Sequence, residues 1–229
     1  MERLVLLFDV DNTLIDNDRV AADLKRYLTA EVGDERQQQY WEFFEQLRQE
    51  LGYADYLGAL QRYRLRHRHE SHLLAISAYL VDYPFANRLY PGSLDALEHA
   101  RALGTTVILT DGDVVFQPMK VHRSGVFEAV GGRILIYIHK EEELGDVERR
   151  FPAEHYVLVD DKVRILAAVK QQWGERVTTV FPRQGHYATA PDVAQYPRPD
   201  LTIDRIGDFT SLDRETLLNA AKAPAHGTA

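Results

Sequence analysis

Residues Leu4 to Thr13 read Leu-Val-Leu-Leu-Phe-Asp-Val-Asp-Asn-Thr. The five residues Leu4–Phe8 form an unbroken apolar, β-compatible run, suited to a strand buried on both faces of a sheet. Asp9 and Asp11 follow at once, spaced i, i+2. Carboxylates at the carboxyl end of a parallel strand sit where open α/β sheets build their sites. In an apolar-walled crevice neither charge is comfortable without a cation or a shared proton.

Four later runs resemble the first: Thr106–Leu109, Ile134–Ile138, Tyr156–Val159 and Val177–Phe181. Asp160-Asp161 ends the run Tyr156–Val159 as Asp9 ends Leu4–Phe8. If those two strands are parallel and adjacent, their carboxylates converge into a hard, oxygen-rich pocket of the kind magnesium prefers. Thr110 stands at the end of another run, and Lys140 shortly after the third. Helical patterns separate the runs. Leu94, Leu97 and Leu103 share a face before a stop at Gly104; Val163, Leu166, Val169 and Trp173 repeat at helical spacing up to Gly174. Strand alternating with helix predicts βαβ units and a mainly parallel sheet.

The stretch from Asn17 to Phe85 has a different character. Its apolar residues recur at helical spacing: Val20, Leu24, Leu28; then Trp41, Phe44, Leu47, Leu51; then Leu73, Ile76, Leu80. The expectation is three to five helices inserted between the first strand and the rest of the sheet. Tyr83-Pro84 and Tyr90-Pro91-Gly92 punctuate the return. Trp41 and Phe44 read as packing between these helices, and the tail from Ala221 as frayed.

Composition narrows the function classes. The 229 residues are 45% hydrophobic and 27% charged, which predicts a packed globular chain. A formal net charge of −8 argues against a general nucleic-acid binder, which displaces counterions with a basic surface. The absence of cysteine removes disulfides, thiolate metal sites and cysteine nucleophiles together. No N-terminal signal or membrane-length apolar run is read, so the chain is expected to be soluble and cytoplasmic, with no membrane partner.

Asp9-Val10-Asp11-Asn12-Thr13 resembles the DxDxT first motif of the haloacid dehalogenase-like hydrolases. Leu109-Thr110-Asp111-Gly112 resembles their second motif, Lys140 the lone basic residue of the third, and Val159-Asp160-Asp161 the fourth. All four occur in order at strand ends. The resemblance implies a Rossmann-like α/β core, residues 1–16 and 88–229, with an all-α cap of the C1 type over residues 17–87. It places Asp9 on the central strand between those carrying Thr110 and Asp161. It implies a magnesium-dependent phosphohydrolase acting on the phosphate monoester of a small metabolite. Asp9 is then the nucleophile that becomes an aspartyl-phosphate, and Asp11 the general acid and base. Thr110 hydrogen-bonds the phosphoryl oxygens, and Lys140 neutralises their charge and that of Asp9. Mg²⁺ falls to Asp9, the Asp11 backbone carbonyl and Asp161, with Asp160 direct or through water. Asp11 matters to this reading, because the dehalogenases of the superfamily lack an acid at that place.

Two features depart from the commonest pattern. Asp160 stands where many members have glycine, and Lys140 is followed by three glutamates rather than a proline-containing turn. Lys120, forty residues before Asp160 rather than twenty, is the alternative basic residue. Asp111 and Arg183 are further candidates for substrate contact, with His186 beside Arg183. The basic run Arg62, Arg64, Arg66, His67, Arg68, His69 reads as a solvated helix face, against the alternative of a grip on the anionic substrate. A phosphomutase using the same residues, and a non-catalytic metal-binding interaction protein, are the alternative functions. A monomer and a homodimer are both compatible with the sequence.

Overall fold

Period-two alternation in β1 (Leu4–Phe8) divides its side chains between two cores. Leu4, Leu6 and Phe8 join Ile108, Val157 and Val159 on one face, while Val5 and Leu7 join Val107, Leu109, Tyr156 and Leu158 on the other. Every β1 residue is buried, which accounts for the unbroken apolar run. This architecture is seen in a computed structural model that describes residues 3–191 and 193–222. β2 (Thr105–Asp111), β3 (Ile134–Tyr137), β4 (His155–Val159), β5 (Val177–Pro182) and β6 (Leu201–Ile203) complete the sheet. The spatial order is β3-β2-β1-β4-β5-β6, and all neighbouring pairs are parallel. The fold is therefore a doubly wound, Rossmann-like α/β sheet, with β1 flanked by β2 and β4 as expected. Because the chain winds outward from β1 to β3 and then returns to β4, a crevice opens between the ends of β1 and β4.

Four helices form the insert after β1, ahead of the helix that leads into β2: α1 (Asn17–Val32), α2 (Asp34–Leu51), α3 (Tyr56–Arg66) and α4 (Leu73–Asp82). Asp16 caps α1 by accepting from the Arg19 amide, and Asp55 caps α3 through Gly58. The buried faces of α1 and α4 follow the expected spacing, Val20, Leu24 and Leu28 on one and Ile76 and Leu80 on the other. Buried Asp23 ties α1 to the returning chain, accepting from Tyr83 and from Arg88 at 2.7 Å.

The connecting helices are α5 (Ser93–Leu103), α6 (Phe116–Arg123), α7 (Val126–Ala129), α8 (Leu144–Arg150), α9 (Val163–Trp173) and α10 (Arg214–Ala220). α9 buries Val163, Leu166, Val169 and Trp173 as its spacing predicts. α5 departs from expectation. Its buried face is Ser93, Ala96, Leu97 and Ala100, and Leu94 is exposed. Small residues let this helix lie close to the sheet, so large apolar side chains were a poor guide to its inner face. Gly104 ends α5 where a Cβ would stand 2.4 Å from the Leu4 carbonyl oxygen, so the close approach to β1 requires glycine. Most of the tail from Ala221 lies outside the described residues. Among the described residues, no helix is long and apolar enough to cross a membrane.

Candidate active site

The carboxyl ends of β1 and β4 place three buried carboxylates together. Asp9, Asp160 and Asp161 each offer an oxygen within 4.8 Å of the others. The Asp9 amide donates to the Val159 carbonyl at 3.0 Å, and the Asp161 amide to the Thr13 hydroxyl at 3.1 Å, which locks the two strand ends in register. Asn12 turns the loop after β1 at φ 59°, a left-handed conformation that asparagine tolerates better than most residues. Its Oδ1 accepts from the amides of Asn17 and Asp18. From the loop after β5, Gln184 donates to the carbonyls of Asn12 and Thr13 at 3.1 and 2.8 Å.

Lys140 is fully buried and directs its ammonium at Asp9 Oδ1 (2.5 Å), Asp160 Oδ2 (2.6 Å) and the Leu109 carbonyl (3.3 Å). Burial acts to lower this lysine, but the charges of Asp160, Asp9 and Asp111 outweigh it and hold it well above the ordinary range. Asp111 accepts from the Lys140 backbone amide at 2.8 Å. It fixes the turn that delivers Lys140. Lys120, the alternative basic residue, has its own partners. It donates to Asp11 Oδ1 at 2.6 Å and Asn17 Oδ1 at 3.0 Å. Both lysines therefore belong to the site, one on each member of the Asp9/Asp11 pair. The Thr110 hydroxyl accepts from Gln117 at 2.9 Å and makes only a long 3.4 Å contact to the Asp111 carbonyl.

Five carboxylates (Asp9, Asp11, Asp111, Asp160, Asp161) face three ammoniums (Lys120, Lys140, Lys162), a deficit of two positive charges. Asp9 Oδ2 and both Asp161 oxygens are buried without a hydrogen-bond partner. Burial, then the charges of Asp9 and Asp160, push Asp161 well above the carboxylate range. Burial raises Asp160 to about 6 against the opposing pull of Lys140. Orphaned, mutually repelling oxygens of this kind fit a hard divalent cation, which offsets both the desolvation and the repulsion.

Above Asp11 the inserted helices close a cavity of about 590 Å³. Trp41, Phe44, Tyr53, Tyr56 and Tyr187 line it together with Arg48 and Lys162. The Trp41/Phe44 stripe thus forms a cleft wall in addition to its packing. Insert and core meet here: Arg48 donates to the Tyr187 hydroxyl at 3.3 Å, and Asp18 accepts from the His186 amide at 2.8 Å. The other basic candidates stand elsewhere. Arg62 pairs with Glu50, His67 contacts Gln39, and Arg64, Arg66, Arg68 and His69 are exposed. Arg183 turns outward to Asp204, away from the cleft lining. Its neighbour Gln184 is the one that reaches the loop after β1.

The comparisons agree with this geometry. A family model for haloacid dehalogenase-like hydrolases matches residues 4–172. No match was found among functionally curated proteins. Among solved structures, a haloacid dehalogenase-like hydrolase from Burkholderia xenovorans LB400 is 58% identical, with a TM-score of 0.89 over 93% of this chain and 100% of that one. A magnesium-bound HAD-type hydrolase from Bacillus subtilis, 16% identical, superposes with a TM-score of 0.62 over 92% of this chain and 98% of its own. The L-2-haloacid dehalogenase of Xanthobacter autotrophicus, with chloropropionic acid covalently bound, is 19% identical and gives 0.58 over 92% and 98%. These last two share the fold. With the family model spanning the site and a relative of 58% identity covered end to end, the chain belongs to the haloacid dehalogenase-like hydrolases.

Proposed function

We propose that this hydrolase cleaves phosphate monoesters of small metabolites through an aspartyl-phosphate on Asp9, with Mg²⁺ as cofactor. The observation that carries the reading is the cluster of Asp9, Asp160 and Asp161, whose orphaned oxygens sit beside a second carboxylate, Asp11, on the cavity wall. Asp9, Asp161 and the Asp11 carbonyl would hold the ion, with Asp160 direct or through water. When bound, Mg²⁺ supplies positive charge that offsets the phosphoryl oxygens and the crowded carboxylates.

The chain's own residues supply the rest. Lys140 fixes the Asp9 carboxylate through Oδ1, and that carboxylate attacks phosphorus. As the P–O ester bond breaks, Asp11 gives its proton to the leaving oxygen. Asp11 then takes a proton from the water that attacks phosphorus, and the P–O bond to Asp9 breaks to release phosphate. Lys120 grips Asp11 by Oδ1, which leaves Oδ2 to exchange the proton with the leaving group. Thr110 exchanges its long contact to the Asp111 carbonyl for a donation to a phosphoryl oxygen. The helical insert, residues 17–87, acts as a cap that excludes water while the covalent intermediate forms.

The fold neighbours include a dehalogenase, and dehalogenation is the rival reading. Halide leaves carbon without a proton, so that reaction makes no use of Asp11 and calls for no divalent cation. The deciding experiment measures phosphate and chloride release from metabolite phosphates and 2-haloacids, with Mg²⁺ and with chelator. Phosphate release that requires Mg²⁺ is expected; chloride release indifferent to chelator would overturn the assignment.

A further inference from the structure

Three lysines surround the carboxylates of the site, and of these Lys162 lines the cavity while Lys120 and Lys140 are buried behind it. Lys140 spends its donors on Asp9, Asp160 and a carbonyl. Lys120 is held by Asp11 and Asn17. The ammonium of Lys162 has no carboxylate, carbonyl or hydroxyl partner among the described residues. It lies over the ring of Tyr187, 5.1 Å from the centroid. Its backbone amide donates to Asp160 Oδ1 at 2.8 Å, which anchors the residue to the acidic end of β4. Its side chain lines the 590 Å³ cavity together with Asp11 and Tyr187.

An aromatic face steadies a cation without neutralising it and without occupying its N–H donors; a carboxylate does both. The Tyr187 ring is itself fixed, because Arg48 of α2 donates to its hydroxyl. Lys162 is thus a positioned cation with unspent N–H donors, on the cavity wall beside Asp11 and within the field of Asp9 and Asp161. Lys140, by contrast, is held between the carboxylates of Asp9 and Asp160.

We propose that Lys162 is a substrate-binding residue whose ammonium donates to non-bridging oxygens of the phosphoryl group presented to Asp9. The proposal rests on the phosphohydrolase reading above. Those oxygens are already charged in the bound ester, so the contact acts on substrate binding more than on the chemical step. Tyr187 is a positioning residue that keeps the ammonium aimed into the cleft.

Calorimetric titration of the full chain with inorganic phosphate, at saturating Mg²⁺, tests this in the native protein, Lys162→Met, Lys162→Arg and Tyr187→Leu. A parallel titration follows Mg²⁺ itself. Lys162→Met is expected to bind phosphate roughly 10- to 100-fold more weakly, the range of a charge-assisted hydrogen bond. Lys162→Arg recovers most of the affinity, and Tyr187→Leu falls between. Mg²⁺ binding by Lys162→Met stays equal or tightens, since a positive charge next to Asp161 is removed. KM for a phosphate ester rises in step with the phosphate dissociation constant while kcat changes less than about threefold. Phosphate affinity unchanged in Lys162→Met overturns the proposal. So does joint weakening of phosphate and Mg²⁺, which marks Lys162 as a prop for the Asp160–Asp161 turn. A native chain that binds no phosphate with Mg²⁺ present overturns the phosphohydrolase reading, and this proposal with it.

Discussion

Removing a carboxylate from the metal cluster should stabilise the metal-free protein while abolishing its response to magnesium. In Asp160 the folded-state carboxyl titrates at about 6 instead of 3.8, a raised acid. Between those values the folded state binds more protons than the unfolded one. Stability therefore falls as pH rises through the window, and the penalty is complete above about pH 6. Two units correspond to about 3 kcal/mol, and Asp161, pushed further in the same direction, adds to it. At pH 7.5 the metal-free protein carries this strain in full, and a divalent cation relieves it. With Mg²⁺ at a hundredfold excess over its dissociation constant, the gain is about 2.7 kcal/mol. For a chain of this size that raises Tm by roughly 5–11 °C. At pH 5 the ion must displace protons, and the rise should shrink to about 2 °C or less. Asp161→Asn places a neutral amide at the position. Thermal unfolding should show the metal-free variant as stable as the native chain or more so at pH 7.5, with the Mg²⁺ shift gone. Equal Mg²⁺ shifts at the two pH values, or a metal-free Asp161→Asn destabilised by more than about 1 kcal/mol, would refute the reasoning.

Four further substitutions probe the supports of the site. Lys120→Met should lower kcat roughly 10- to 100-fold and Asp11→Asn roughly 10²- to 10⁴-fold, and steady-state kinetics of the double variant should be no worse than Asp11→Asn alone, because Lys120 acts through Asp11. Lys140→Met strands Asp9 and Asp160 in the interior; denaturant unfolding at pH 7.5 should show a loss of about 3–5 kcal/mol, part of it restored by Mg²⁺. Gly185→Ala sets a Cβ 2.6 Å from that of Asn12 at φ 72°, and should cost about 1–3 kcal/mol in the same assay while loosening Gln184 from the catalytic loop.

Five of the six strands were legible as short apolar-rich runs, β1, β2, β4 and β5 because they are buried along most of their length and the half-buried edge strand β3 because its residues are still apolar, and the strand-end carboxylates marked the crevice. β6 escaped notice: Leu201–Ile203 is three residues long and follows Pro197-Arg198-Pro199-Asp200, which reads as loop. α3 was obscured in a similar way, since its inner face is Tyr56, Ala59, Leu60 and Tyr63 and its outer face carries the arginines. Asp9, Asp160 and Asp161 could be paired from position alone, since parallel neighbours bring their ends together. The partners of the lysines could not. Lys120 meets Asp11 across 109 residues and Lys140 meets Asp9 across 131, through contacts that no local pattern encodes. Lys162, next to the acidic pair, offered one signal, a cation at the amino end of α9, and its aromatic partner comes from a distant loop. Trp41 and Phe44 repeat at packing intervals whether or not their outer edges line a cleft.

The covalent role of Asp9 is most directly tested by acid-quenching the enzyme in single turnover with a reactive phosphate ester and Mg²⁺, then locating the phosphoryl group by peptide mass. The account predicts transient phosphorylation of the peptide bearing Asp9, on Asp9 itself, with neither adduct nor turnover in Asp9→Asn. Phosphate released while Asp9 stays unmodified, or turnover surviving in Asp9→Asn, would contradict it.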